Sequence, residues 1–337
     1  MDAELIIQTP SARIDASQIL ESVTFSDNIN KCGNLEFSLP MLDGLDVDVG
    51  AVVRLRVENE PYFLGYVFKK SDSGKNNVCS YTAYDQLRYL TASDSYAFDN
   101  LTAGQILRRI SQDMGLTTGV IEDPGYPLGA VVEDNKCMLD MIVRALDTTL
   151  AYTKQMCYIK DVAGSIVMRN IASSIVSLQI AEGQNLVDYT HERSIDTDTY
   201  NQIKLVRDNK SSGKRDVFLS RDSSTIQRWG LLQYFEVLDE NTNDAQAAER
   251  ADMLLQISNR PTRKFSAEVV GDKSIRAGHL INVSVPKSGL SGFLLCISAK
   301  HTFRSNYHGV TADFKRYKPD LNAFYRRLLW VFAHRIR

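Results

Sequence analysis

Apolar and polar residues alternate with a period of two along most of the first 95 positions. "AELIIQ" (3–8), "ILESVTF" (19–25) and "NLEFSLP" (34–40) read as strands between turn-rich pieces. "AVVRLRV" (51–57) alternates most cleanly, with Val53, Leu55 and Val57 interleaved with Arg54 and Arg56. "YFLGYVFKK" (62–70), the turn "SDSGKNN" (71–77) and "VCSYTAYD" (78–85) complete an antiparallel meander, since strands joined by such short loops cannot be parallel neighbours. Within "YTAYDQLRYL" (81–90) the period changes: alternation gives way to Leu87 and Leu90, three apart, with no Gly, Pro or Asn at the break.

Helical spacing takes over from about 96 to 175. Thr102 is placed to cap a helix whose stripe is Ile106, Leu107 and Ile110, and Gly115 suits the position just past its end. "NKCMLDMIVRALDTTLAY" (135–152) sets Met138, Met141, Ile142, Ala145 and Leu146 on one helical face. A hairpin, "KQMCYIKD" (154–161) and "SIVMRNI" (165–171), closes this α/β stretch. From 176 to 318 strands return: "NLVDYTHERS", "YNQIKLVRD", "RDVFLSR", "LLQYFEVL" and "RKFSAEVVG" (263–271). One long helix interrupts them, with Thr242 as its expected cap and Ala248, Ala251, Leu254, Leu255 and Ile257 as its apolar residues.

An internal echo links the two strand-rich regions. "GAVVRLRV" (50–57) aligns with "GHLINVSV" (278–285), "FLGYVFKK" (63–70) with "FLLCISAK" (293–300), and Val78 with Val310. The offsets are 228, 230 and 232, so the extra residues fall in the turns, where insertions belong. The echo implies two related β-domains in one chain, and three such chains in a closed ring would present six similar surfaces. The competing reading is that any two three-stranded meanders look alike.

With 337 residues the chain is long enough for two or three domains, and 44% apolar with 24% charged residues is an ordinary globular composition. A net charge of −2 argues against nucleic-acid recognition. "MDAELIIQTP" has no basic stretch before an apolar run, so no signal peptide is expected, and "LLWVFA" (328–333) is too short for a membrane span. The five cysteines are scattered and odd in number, which favours reduced thiols and synthesis in a cytoplasm.

Signals for chemistry are weak. Asp43, Asp46 and Asp48 crowd near Gly50 but lack the spacing and terminal Glu of an EF-hand, so they read as a polar loop. "SGK" at 73–75 and 212–214 lacks the phosphate-loop frame and reads as two hairpin turns. His301 and His308 flank a turn and would face each other across a surface hairpin, with no third ligand in that element to suggest zinc. Cys157 with His191 could on paper be a nucleophile and base, but Cys157 sits between Met156 and Tyr158 in an alternating strand, which favours the core. No catalytic motif appears and no cofactor is expected.

The C-terminus "LNAFYRRLLWVFAHRIR" repeats apolar residues at Leu321, Phe324, Leu328 and Val331, with Arg326, Arg327, Arg335 and Arg337 making it basic. As an amphipathic helix it would bind a partner groove or an anionic surface, or dock on its own domain.

The ordered set "YTAYDQLRYLTASDSYAFDNLTAGQILRRISQDMGL", "GVIEDPGYPLG" and "NKCMLDMIVRALDTTLAYTKQMCYIKD" resembles the tail hub (baseplate hub) proteins of PBSX-type prophages. Related hubs occur in contractile phage tails and phage-tail-like bacteriocins. The resemblance covers residues 50–175 well and the C-terminal β region, with "IRAGHLINVSV", more loosely; "LLWVFAHRIR" has no counterpart. It implies a homotrimer in which each chain contributes two barrel-like domains related to the tube subunit. The trimer would join a six-fold tail tube to a three-fold central spike and other baseplate proteins, with the tape-measure protein a further partner, in a virion or tail-like particle. In such hubs the first β-domain runs directly into a short helix, which would pack Leu87 and Leu90 against the barrel's end.

The expected fold is α+β, mostly β: two related antiparallel β-barrel-like domains with an inserted helix-rich α/β domain. The boundaries are 1–95, 96–175, 176–318 with one long helix, and a tail at 319–337. The expected role is structural, not enzymatic, with contacts at hairpin tips 71–77 and 286–292 (Lys75, Lys287) and along the tail (Tyr325, Arg326, Arg327, Trp330, Phe332). The rivals are a tail-associated cell-wall hydrolase, which would need a catalytic constellation, and a carbohydrate-binding β-module, which would need exposed aromatic platforms.

Overall fold

The computed structural model describes residues 3–317, apart from 21, 75–76, 210–212, 239–241 and 305–306. The C-terminal helix expected at 319–337 therefore lies outside the described residues. The described chain divides into two units, one formed by the residues up to 190 together with 265 onward, the other by 191–264.

The alternating segments do form strands, and the fold is mostly β with antiparallel sheets. In the larger unit one sheet follows the path Leu186–Ser194, Thr262–Val270, Tyr307–Arg316, Leu290–Arg304, Val23–Asn28, Asn34–Pro40, Val78–Tyr84, Glu60–Ser73, Val52–Val57, Ala3–Gln8, Arg13–Asp15. Leu280–Val285 also pairs with Leu290–Arg304 and carries Ile175–Ala181 in parallel on its far side. Among the described residues no closed barrel forms, contrary to the barrel-like expectation. The physical reason lies at Val23–Asn28, which pairs its free edge with Leu290–Arg304 instead of returning to its own meander.

The two meanders share one hydrogen-bond register. Tyr66 pairs with both Val52 and Tyr84; Leu295 pairs with both Leu280 and Lys315. The offsets are thus 228 (Val52 to Leu280), 229 (Tyr66 to Leu295) and 231 (Tyr84 to Lys315), so the sequence echo was one residue too long in its second and third strands. Each long strand then breaks register two residues on, leaving Phe68 and Ile297 unmatched in a bulge. The entry to each meander also matches. Gly50 N–H donates to the Val67 carbonyl at 2.7 Å and Gly278 N–H to the Cys296 carbonyl at 2.8 Å. Both glycines need a left-handed φ, 83° and 89°.

Inward positions coincide as well. Val53, Leu55, Val57, Val67, Tyr81 and Ala83 face the first core; Ile281, Val283, Val285, Cys296, Ala312 and Phe314 face the second. The next strand continues the correspondence: Leu35 opposes Ala83, and Phe265 opposes Phe314.

Between the two meanders the chain builds an α/β core. Helix Ala103–Asp113 starts at Thr102 in a capping box with Gln105, and Gly115 follows its C-cap with φ 64°, both as expected. The second helix is Met138–Thr153; residues 135–137 end a strand, Val131–Cys137, paired with Ser93–Phe98. Strands Cys157–Asp161, Ile166–Asn170 and Thr118–Ile121 complete this part.

The change of period at 81–90 has a specific cause. Strand Val78–Tyr84 ends at Asp85, whose carboxylate accepts Leu87 N–H at 2.9 Å and Gly33 N–H at 2.7 Å, and a 3₁₀ helix, Gln86–Thr91, begins. Asp85 is an N-cap, a signal the sequence reading overlooked. Leu87 and Leu90 pack into the α/β core with Phe98, Leu107 and Met138, not against the end of the first meander as expected.

The smaller unit is a three-stranded sheet, Lys214–Arg221, Gln202–Asn209, Gln233–Val237, with helices Ser223–Trp229 and Asp244–Ser258. Its long helix is capped by Asn243 with Gln246, one residue after the expected Thr242. That register turns Ala247, Ala251 and Leu254 onto Ile203 and Leu205 and leaves Ala248 exposed.

Candidate functional site

The residues singled out for chemistry do not assemble into a reactive centre. Asp43, Asp46 and Asp48 are exposed, and Asp48 accepts Val49 N–H at 2.8 Å, as loop aspartates do. Cys157 is buried, and burial together with the Glu122 and Asp123 carboxylates pushes its thiol up to about 12, so it stays protonated at neutral pH. Among the described residues no group of three or more His, Cys, Asp or Glu is placed to hold a metal. An open cavity of about 470 Å³ is lined by Glu122, Asp123, Gln155, Asn170, Ala172 and Ser173. Its Glu122 is taken up by Arg169 at 2.7 Å, Asn170 N–H at 2.7 Å and Ser173 at 2.9 Å.

The densest polar arrangement lies where the two meanders join. His301 and His308 do face each other, but they are buried, 0% and 9% exposed, not on a surface hairpin. They are covered because Val23–Asn28 pairs along the outer half of Leu290–Arg304, placing Phe25 opposite His301. The hydrogen bonds assign both tautomers. His301 Nε2 is 2.7 Å from the Ile275 carbonyl, which only accepts, so Nε2 carries the proton. Nδ1 must then accept, and it takes the N–H of His308 Nε2 at 3.0 Å. Burial, then the nearby Arg276 charge, lowers His301 to about 3; burial lowers His308 to about 4 against the pull of Asp272. Both rings are therefore neutral at pH 7.

Beside them Arg276 Nε lies 2.5 Å from Asp27 Oδ2, with both side chains nearly inaccessible. The guanidinium sits 4.8 Å from the Phe25 ring centroid and 4.5 Å from that of Tyr62. Burial works to raise the Asp27 carboxyl, but Arg276 and Lys160 overcome it and hold it below its usual value. Lys160, buried and next to Arg276, is lowered to about 8. Asp27 comes from the first β region, Arg276 from the second and Lys160 from the α/β core, so this cluster ties three parts of the unit together. An ion pair this deeply buried fixes geometry more than it adds stability, since desolvation offsets most of its attraction.

The strand edges around this joint differ between the two meanders. The inner half of Leu290–Arg304 pairs with Leu280–Val285 and its outer half, Ser298 to Phe303, with Val23–Asn28. The inner part of Glu60–Ser73 likewise pairs with Val52–Val57, the last match being Tyr66 with Val52. Beyond Val67, residues 69–73 pair with Val78–Thr82 on one side, and on the side of Val52–Val57 they have no strand partner among the described residues. At the far end of the sheet path, Leu186–Ser194 is also an edge strand.

Of the expected contact residues, Lys287 is described. It is 77% exposed in the one-turn helix Pro286–Ser288, with Nζ 2.5 Å from Glu182 Oε1. Lys75, Tyr325, Arg326, Arg327, Trp330 and Phe332 lie outside the described residues. The pairing of Asp27 with Arg276 had no signal in the sequence, because the two are 249 residues apart.

Comparison with known proteins agrees with this architecture. The YQBQ-like family model matches residues 23–315. The chain is 29% identical over 271 residues to the uncharacterized protein YqbQ of Bacillus subtilis (strain 168), covering 79% of this chain and 81% of that protein. It is 27% identical over 271 residues to the phage-like element PBSX protein XkdQ of the same organism, covering 79% and 82%. Among solved structures, the 43 kDa tail protein of prophage MuSo2 from Shewanella oneidensis shares the fold, with a TM-score of 0.70 at 15% identity over 95% of this chain and 99% of that one. The PBSX-type resemblance read from residues 50–175 is borne out.

Proposed function

The chain belongs to the YQBQ-like family, and from this premise we propose that it is the structural hub of a phage tail or tail-like particle. Three copies form a ring, and each contributes two related, tube-like β-domains. The ring presents six similar surfaces to the tail tube and a three-fold face to the central spike and the other baseplate proteins. The tape-measure protein is a further partner. The particle is built in the bacterial cytoplasm, and the role is assembly rather than catalysis.

One observation carries this reading: the shared register of the two meanders, down to the bulge at Phe68 and Ile297. A bulge interrupts pairing at one position, and two unrelated meanders have no reason to place it equally far from the residue that bridges all three strands. A duplicated domain is what a three-fold ring needs in order to match a six-fold tube. Light scattering of the purified full chain, followed by imaging of the assembled particle, tests the proposal. The expected result is a trimer that binds tube and spike proteins and appears as a three-fold ring with a pseudo-six-fold face. A chain that stays monomeric at high concentration and binds neither protein would refute it.

A further inference from the structure

The sheet of the smaller unit has one covered face and one open face. Its central strand, Gln202–Asn209, is antiparallel to Lys214–Arg221 and parallel to Gln233–Val237. On one face Ile203, Leu205, Phe218 and Tyr234 pack with Ala247, Ala251 and Leu254 of the long helix. On the other face the register sets two rows, Leu219–Lys204–Phe235 and Val217–Val206–Val237. Val217, Leu219, Phe235 and Val237 are 54, 50, 50 and 49% exposed, so four apolar side chains lie together half in water. A strand that faces solvent alternates apolar with polar, whereas the outer strands here are apolar on both faces at Val217, Phe218 and Leu219 and at Tyr234 and Phe235. Sheets with parallel strands are normally covered on both sides.

The C-terminal segment, which lies outside the described residues, carries a face that fits. At helical spacing Leu321, Phe324, Tyr325, Leu328, Leu329 and Phe332 fall on one arc, and Arg326, Arg327, Trp330 and Arg337 on the opposite one. A helix over 321–337 is about 25 Å long and about 10 Å wide. A face of three strands and five residues measures roughly 10 by 17 Å, so one such helix covers it. Lys204, half-buried between Leu219 and Phe235, can lay its methylene stem along the rows while the arginines of the helix face away.

The chain also delivers this segment to the right place. Strand Thr262–Val270 carries the chain out of the smaller unit and runs antiparallel to Tyr307–Arg316, with Phe265 opposite Phe314. Past Phe314 the chain therefore heads back toward residues 262–264, the connection from which the smaller unit is reached. We propose that residues 321–337 fold back as an amphipathic helix on the open face of the smaller unit's sheet, over Val217, Leu219, Phe235 and Val237. The parallel pair then lies between two helices, and Arg326, Arg327 and Trp330 point outward. The inference goes beyond the hub reading and does not depend on it.

Hydrogen exchange of the full chain, read by mass spectrometry over the three strands, tests the docking. Leu328→Asp charges the middle of the apolar arc and is expected to speed exchange in all three at least about tenfold. Trp330→Asp, on the opposite arc, is expected to change nothing. Unchanged exchange in Leu328→Asp overturns the proposal, and so does equal acceleration by both variants. Strands that become protected only when tube or spike protein is added also overturn it, because a partner then covers the face. A second measurement joins Phe235→Cys to Leu328→Cys with a flexible bismaleimide in assemblies formed from isotopically light and heavy chains. A linked peptide of a single isotope is the expected result. Linked peptides of mixed isotope place the segment on a neighbouring copy and overturn the site within the chain, as does the absence of any link.

Discussion

The distal arms of the two meanders start from the same register and end in opposite environments. In the first, residues beyond the bulge at Phe68 run into solvent, and Lys69, Ser71 and Asp72 are exposed. In the second, alternate residues beyond Ile297 are buried: Ala299, His301 and Phe303 are at most 2% exposed, and Phe303 reaches the core of the first region. Strand geometry is shared, so the difference comes from the neighbour. Val23–Asn28 pairs with the second arm and brings Phe25 and Asp27 onto it. A strand's register is local, but its burial depends on what occupies its other edge.

The largest effect should come from breaking the charged joint that this neighbour creates. Arg276→Ala leaves the Asp27 carboxylate buried without its partner and should cost about 3–5 kcal/mol in urea unfolding. Replacing both residues by apolar ones of similar volume should recover most of that loss. If Arg276→Ala alone proves neutral, the joint contributes nothing to holding the two regions together.

The next effect is set by pH. His301 and His308 have folded values lowered to about 3 and 4, below the ordinary histidine value of 6.5. Between pH 6.5 and about 4 for His308, and down to about 3 for His301, the unfolded chain binds protons that the folded chain refuses. Stability should therefore fall as pH drops through this window and level off below it. The urea midpoint at pH 7, 5 and 4 should fall less steeply in a His308→Asn variant than in the unmodified chain. Equal slopes would show that the buried pair does not set the acid limb.

Equivalent inward positions should respond oppositely to size. Leu294 and Gly65 occupy the same register position, two residues before Cys296 and Val67. Leu294→Ala opens a cavity in the second core and should cost about 2–5 kcal/mol. Gly65→Ala overfills the first, since its Cβ would fall 2.3 Å from the Tyr84 carbonyl oxygen and 2.5 Å from the Phe63 ring, and should cost about 1–3 kcal/mol. Denaturant midpoints of the two variants check the contrast, and a neutral Gly65→Ala would show that the first core is loosely packed there.

The smallest effect belongs to the open arm. Lys69→Ala in the isolated chain should stay within about 0.5 kcal/mol, while Ser298→Ala, its register counterpart, loses a 2.8 Å hydrogen bond to Asp313 and should cost about 1 kcal/mol. Equal costs would mean that the first arm is already covered within a single chain.

Alternation at 51–57 and 280–285, the Thr102 cap and the Gly115 stop were all readable, because each depends on residues within one turn or one strand. Asp85 was readable too and was missed; an aspartate after an alternating run is a helix-start signal even without Gly or Pro. The echo was visible in composition, but its alignment slipped by one residue, because a bulge shifts hydrogen-bond partners without changing the apolar pattern. The histidine pair was found, and its burial was not, since nothing near residues 301–308 announces a strand from residues 23–28 lying alongside.

The sequence by itself determined where the strands and helices run, which faces are apolar, that two regions share a pattern, and that no familiar catalytic motif is present. These follow from side-chain spacing within a few residues, which fixes backbone preference and facing direction. The tertiary structure alone decided which edges are satisfied. That choice placed Asp27 against Arg276, buried one arm and left the other open. Edge pairing uses backbone groups common to every residue, so the amino-acid pattern carries almost no record of which strand will claim them.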